Sequence, residues 1–278
     1  MENTYRIAIL DMNAGVTNEG MRCIKLIAGQ FLEQEGVKGH YDIFEVRTNN
    51  EIPEIEDYDI FISSGGPGSP LVFGEAWETP YFRFLDAILT HNLINQNKKF
   101  AFLICHSFQL AVLHWDLAKV TKRKSTSFGI LPVHKTDAGK IDELLEGLNN
   151  PFYAVDSRDY QVVRPDKRKI ESLGGSILCK EKMRQQIHLE RAVMAIRFSA
   201  EIVGVQFHPE ADAEGMMRYF QKKEKRSQIV KRYGSKKYIQ MMDYLDDDDK
   251  ILMTHMQIIP RFLVRAAEHI EETRYVPL

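Results

Sequence analysis

The stretch Phe102-Leu103-Ile104-Cys105-His106-Ser107-Phe108-Gln109 decides the fold. It starts inside an apolar run, Phe100 to Ile104, and passes through Cys105 directly into the helix-capable Ser107-Phe108-Gln109-Leu110-Ala111-Val112-Leu113. An uninterrupted apolar run is what a parallel strand covered on both faces requires, and an immediately following helix makes a sharp strand-to-helix turn with Cys105 at its corner. Such a turn exposes its central side chain at a helix N-terminus, where free N–H groups and partial positive charge favour a thiolate. Cys105 is therefore a candidate nucleophile; the competing reading is a small hydrophobe closing a buried strand.

Upstream of this corner, strand and helix patterns alternate. Arg6 to Met12 reads as a first strand, and Met21, Ile24, Ile27 and Phe31 recur at helical spacing with Gly36 as a stop. Asp42 to Val46 and Tyr58 to Ser63 read as the second and third strands; Thr79 is placed as the N-cap of a helix with Pro80 at its first position. This order predicts an α/β fold with a mostly parallel open sheet flanked by helices. Downstream, the basic run Lys119 to Lys124 reads as a solvated loop before a strand over Phe128 to Val133. Short β-rich pieces follow at Phe152 to Val155, Tyr160 to Val163, Ser176 to Cys179 and Ala192 to Phe198, a small antiparallel β element appended to the parallel core. Ile202 to Phe207 is the last strand. Residues 1–221 are thus expected to form one α/β domain, and residues 222–278 a C-terminal helical extension. Helical periodicity returns over Met256 to Ile270, and the run Asp246 to Asp249 reads as native loop.

The 278 residues carry 37 Lys and Arg against 39 Asp and Glu, a formal charge of -2, so no global field points to nucleic acid or an anionic membrane surface. No apolar run approaches the roughly 20 residues that span a bilayer. The three cysteines, Cys23, Cys105 and Cys179, are odd in number and widely spaced, which suits neither a disulfide framework nor a Cys-x-x-Cys metal site. With no basic, long apolar leader at Met1 to Leu10, the expectation is a soluble chain of the reducing cytoplasm without a metal.

Two further stretches complete the chemistry. Ser64-Gly65-Gly66-Pro67-Gly68-Ser69-Pro70 follows the third strand and forms a tight loop whose backbone N–H groups can face an anion. The loop lacks the Gly-x-Gly-x-x-Gly and Gly-Lys-Ser/Thr patterns, so no nicotinamide or ATP site is indicated and no cofactor is expected. At the end of the last strand stands His208-Pro209-Glu210; Pro209 biases His208 towards extended backbone, and a histidine oriented by a carboxylate is the base that a thiol nucleophile needs. All three stretches sit at the C-terminal ends of strands, where open α/β sheets place their sites.

Taken together, Ser64 to Pro70, Cys105 with Gln109, and Gly204 to Glu210 resemble the class I glutamine amidotransferase family over roughly residues 5 to 220, and most of all its GMP-synthase-type branch. The resemblance implies a flavodoxin-like sheet and a triad of Cys105, His208 and Glu210 acting on the side-chain amide of glutamine through a cysteinyl thioester. It also implies an oxyanion site at Gly65, Gly66, Gly68 and the His106 backbone, with Gln109 positioning the substrate, and ammonia passed to a separate synthetase or ligase subunit. Three departures keep other readings open. Leu103 and Ser107 stand where the family usually has glycine, and Val155 to Asp159 stands where this branch often has a His-containing segment near the substrate. The alternatives are a stand-alone γ-glutamyl peptide hydrolase and a catalytically inactive binding or regulatory protein; residues 222–278 are a candidate surface for a partner subunit or a second copy of the chain.

Overall fold

The computed structural model describes residues 3–16, 18–71, 73–183, 189–247 and 250–274. In chain order the strands are β1 (Asn3–Asp11), β2 (Val37–Glu45), β3 (Ile60–Ser63), β4 (Phe100–Ile104), β5 (Lys119–Lys135), β6 (Phe152–Val163), β7 (Ser176–Glu181), β8 (Val193–Arg197) and β9 (Ile202–Val205). The helices are α1 (Glu19–Leu32), α2 (Val46–Asn49), α3 (Glu78–Ile94), α4 (His106–His114), α5 (Asp137–Ile141), α6 (Lys167–Ser172), α7 (Ala213–Gln221), α8 (Lys223–Tyr233), α9 (Ser235–Leu245) and α10 (Ile251–Arg274). Among the described residues the strands form one sheet in the order β2-β1-β3-β4-β9-β8-β6-β5-β7. The β2-β1-β3-β4-β9 half is parallel, and the remaining pairings are antiparallel.

Side-chain alternation in β4 shows how the sheet is covered. Phe100, Phe102 and Ile104 join a cluster with Ile24, Ile27 and Phe31 of α1, whereas Ala101 and Leu103 face Phe84, Leu85 and Ile88 of α3 and Leu110 and Ala111 of α4. Burial on both faces is why β4 reads as a continuous apolar run.

Several elements depart from the sequence expectation. The basic run at 119–124 is the first part of β5 and not a loop: Lys119 to Lys122 pair with Val163 to Tyr160, and Val120 is buried while Lys119, Lys122 and Lys124 stay exposed. The two short pieces expected at 152–163 are one strand, β6, paired along β5 with a shift between Lys122 and Ser127. Thr79 lies inside α3 and does not cap it; the adjacent Glu78 carboxylate accepts instead from the backbone N–H groups of Phe73, Gly74 and Glu75. Gly36 sits beyond the end of α1 in the turn to β2, with φ +82°. In the acidic run, Asp248 and Asp249 lie outside the described residues.

The last helix is built into the core. Ile258, Ile259, Phe262, Leu263, Ala266, Ala267 and Ile270 of α10 share one cluster with β1, β4 and α1, and the Phe262 ring meets Phe102 edge-on at 5.1 Å. Helices α7 to α9 gather a smaller cluster, Phe220, Ile229, Met241 and Leu245, against Ile130 and Val155 of the β5–β6 pair. No helix is long and apolar enough to cross a membrane among the described residues. Phe262→Ala should lower the unfolding free energy by about 3–5 kcal/mol within a single denaturant transition, because the ring is a core side chain. A loss near zero, or a separate early transition, would show that α10 is not part of the cooperative core.

Candidate active site

Strands β3, β4 and β9 are neighbours in the parallel half, with Ser63 opposite Leu103, Leu103 opposite Gly204 and Ile104 opposite Val205. Their C-terminal ends are therefore level, and the glycine-rich loop, Cys105 and the His208–Glu210 turn leave the sheet side by side. The sequence places these three stretches far apart; sheet order alone brings them together.

Cys105 has φ +47° and ψ −93° and stands at the N-cap of α4. A non-glycine residue in such a conformation costs on the order of 1–3 kcal/mol and persists only when its surroundings impose it. The Cys105 N–H donates to the Val205 carbonyl at 2.7 Å, and its own carbonyl accepts from the Gln109 N–H at 3.1 Å. The corner is braced from below by the Ser107 hydroxyl, which donates to the Ser64 carbonyl at 2.7 Å and lies 2.8 Å from the Ser63 hydroxyl. Leu103 is a buried residue of regular β4. Both departures from the family pattern are thus absorbed, one by the core and the other by hydrogen bonds.

His208 is held extended by an N–H bond to the Val155 carbonyl at 2.8 Å, so β6 as well as β9 positions it. Its Nδ1 lies 2.8 Å from Glu210 Oε1, which leaves the other ring nitrogen towards Cys105. Burial disfavours the charged imidazole, but the Glu210 carboxylate and then the Cys105 sulfur outweigh it and hold His208 well above the ordinary histidine value of 6.5. The Glu210 backbone is fixed from α10, since its carbonyl lies 2.9 Å from His255 Nδ1. The two remaining cysteines differ in character: burial pushes Cys23 up to about 12 and also raises Cys179.

The glycines are required by space. A Cβ on Gly65 would lie 2.9 Å from His208 Cε1, and one on Gly66 would lie 2.3 Å from the Met12 carbonyl oxygen. Gly68 has φ +92°, and Arg47 secures this loop by donating to the carbonyls of Pro67 at 2.7 Å and Met12 at 3.2 Å. His106 is buried, its Nε2 has no partner among the described residues, and burial followed by the Arg47 charge lowers it to about 3, so its ring is neutral. Gln109 donates to Gln206 at 2.8 Å, and the Gln206 amide in turn reaches Cys105 Sγ at 3.5 Å. Gln206 was legible only as the one polar residue closing an apolar strand, and sequence reasoning missed it along with Arg47 and His255.

These groups open into a cleft of about 610 Å³. Val155 to Asp159, the segment that departs from the branch pattern, lines it, with Asp156 and Arg158 joined in a buried ion pair at 2.9 Å. No three His, Cys, Asp or Glu side chains group as a metal site among the described residues.

Glu210→Gln should lower the His208 titration, followed by NMR, because only the Cys105 sulfur then opposes the effect of burial. A folded value above the ordinary one means that the pair stabilises the fold below the ordinary histidine range and loses that contribution as pH rises through the folded value. The variant should therefore lose stability at pH 6 more than at high pH; an unchanged His208 midpoint would refute the assigned role of Glu210. Gly65→Ala should displace the imidazole and slow alkylation of Cys105, with little effect on Cys23 and Cys179.

No curated protein matches the chain. Among solved structures it is similar to a glutamine amidotransferase from Thermotoga maritima, with a TM-score of 0.68 at 13% identity over 95% of this chain and 98% of that one. It is also similar to a glutamine amido transferase from Methylobacillus flagellatus, with a TM-score of 0.56 at 15% identity over 97% and 92% of the two chains. A third likeness is to a candidate GMP synthase subunit from Thermoplasma acidophilum, with a TM-score of 0.51 at 17% identity over 79% and 94%. Such identities speak for the fold. The family model for glutamine amidotransferase class-I matches residues 28–224, well over half of the chain and including the glycine-rich loop, the Cys105 corner and the His208–Glu210 turn. The chain belongs to the class I glutamine amidotransferase family.

Proposed function

We propose that the protein hydrolyses the γ-carboxamide of glutamine through a thioester on Cys105. The observation that carries this reading is the coincidence of the Cys105 corner with a histidine paired to a carboxylate at 2.8 Å and a glycine loop packed against both. The Cys105 sulfur attacks the γ-carbonyl carbon; the C–N bond breaks as His208 gives its proton to the departing ammonia. A water that His208 deprotonates then attacks the thioester, releasing glutamate and restoring the thiol. Glu210 orients the imidazole and stabilises its charge. Backbone N–H groups of Gly66 and His106 receive the oxyanion, Gly65 and Gly68 let the loop take that shape, and Gln109 acts on the substrate through the Gln206 side of the cleft. Ammonia passes to an acceptor subunit of synthetase or ligase type in the cytoplasm.

A second reading, a stand-alone γ-glutamyl peptide hydrolase, uses the same steps with an amine in place of ammonia. It is favoured by the size of the cleft and by the Val155 to Asp159 wall.

Cys105→Ala should abolish glutamate release from glutamine, and Gly66→Ala, whose Cβ would meet the Met12 carbonyl oxygen at 2.3 Å and push the Gly66 N–H out of place, should lower turnover towards the loss of about 10²–10³-fold that a missing oxyanion donor brings. A glutamine-directed thiol reagent should label Cys105 and spare Cys23 and Cys179. Absence of both turnover and selective labelling, with or without a partner, would favour an inactive binding protein instead.

A further inference from the structure

One wall of the cleft comes from outside the family match. That match ends at residue 224, yet Lys225, Gln228, Arg232 and Tyr233 of α8 line the same cleft as Cys105 and His208. A cleft of about 610 Å³ is of the size that encloses drug-like molecules, far larger than glutamine. The α8 wall is aromatic and cationic. Tyr233 stacks on Phe128 of β5 at 5.1 Å with an interplanar angle of 10°, and Lys225 Nζ lies 5.1 Å above the Tyr219 ring. Arg232 is anchored by the Thr126 hydroxyl.

The charges of the cleft are not balanced there. Three of its acids are paired, Glu19 with Arg22, Asp156 with Arg158 and Glu210 with His208, and the fourth, Asp159, accepts from the Thr126 hydroxyl that in turn accepts from Arg232. Neither Lys225 nor Arg232 forms an ion pair with a carboxylate among the described residues. Two cations against the single Asp159 carboxylate leave a net positive charge, and it lies beside the half-buried rings of Phe128, Tyr219 and Tyr233, a setting that takes a group both anionic and flat or apolar.

We propose that the α8 wall is a second subsite of the active site, and that it binds the carboxylate and side chain of an aromatic amino acid joined through its amine to the γ-carboxyl of glutamate. This rests on the thioester chemistry above in its peptide-hydrolase form: the bond broken is the γ-amide, the His208 proton goes to the amino acid's amine, and water completes release of glutamate.

Binding to Cys105→Ala protein, followed by calorimetry, tests the subsite without turnover. The probes are γ-glutamyl-phenylalanine, its decarboxylated analogue γ-glutamyl-phenethylamine, and glutamine. The dipeptide should bind at least about tenfold more tightly than glutamine, with the analogue between them. Lys225→Met and Arg232→Gln should each weaken the dipeptide by about tenfold and leave the analogue and glutamine unchanged, the selectivity that a loss of fold would not produce. Equal affinity for dipeptide and glutamine, exclusion of the dipeptide, or equal weakening of all three probes would overturn the proposal. Turnover by wild-type protein separates this from the broader reading: glutamine hydrolysis with no dipeptide preference removes the subsite alone, whereas dipeptide binding without any hydrolysis removes the chemistry and keeps the subsite.

Discussion

The backbone of Cys105 is held in a conformation that costs free energy, and the hydrogen bond from its N–H to the Val205 carbonyl is what ties that corner to the rest of the site. Val205 is the last residue of β9, and three residues later the same segment delivers His208. One bond thus couples the strand that leads into Cys105 to the strand that leads into His208. The parallel pairing of β4 with both β3 and β9 makes this geometry rigid, because a slip of one residue would turn every buried side chain of β4 to the wrong face.

Around this centre, single residues join distant elements. Glu210 faces His208 with its carboxylate and receives support on its carbonyl from His255 of α10. Two residues on, Asp212 caps α7 and is gripped by Arg22 of α1 at 2.6 Å, so the start of α7 is pinned to the first helix of the fold. The C-terminal residues are accordingly part of the machinery that holds the site: α10 fills the core beneath it, and α8 walls the cleft in front of it.

The departures Leu103 and Ser107 show why a pattern comparison alone is incomplete. Glycine at a tight corner avoids crowding, but crowding depends on what the neighbours leave open. The strain of the corner falls on Cys105 itself, Leu103 precedes it in regular strand, and Ser107 replaces lost backbone room with a hydroxyl that bonds to the strand below. Close packing is instead met from the other side by Gly204, where a Cβ would lie 2.6 Å from the Phe108 ring.

By itself the sequence determined what is local. The apolar run of β4, the corner at Cys105, the glycine loop and the extended His208 follow from burial, φ preferences and the constraint of Pro209 on its predecessor, each of which acts over a few residues. Charged residues misled the reading at 119–124, since this stretch of β5 pairs with β6 while leaving Lys119, Lys122 and Lys124 exposed and burying Val120 alone. Only the tertiary structure decided that β3, β4 and β9 are adjacent, that α10 shares the core, and that Gln206, Arg47 and His255 support the site. These facts depend on contacts between residues remote in the chain, whose partners are chosen by the total burial of the fold and leave no periodic trace in the sequence.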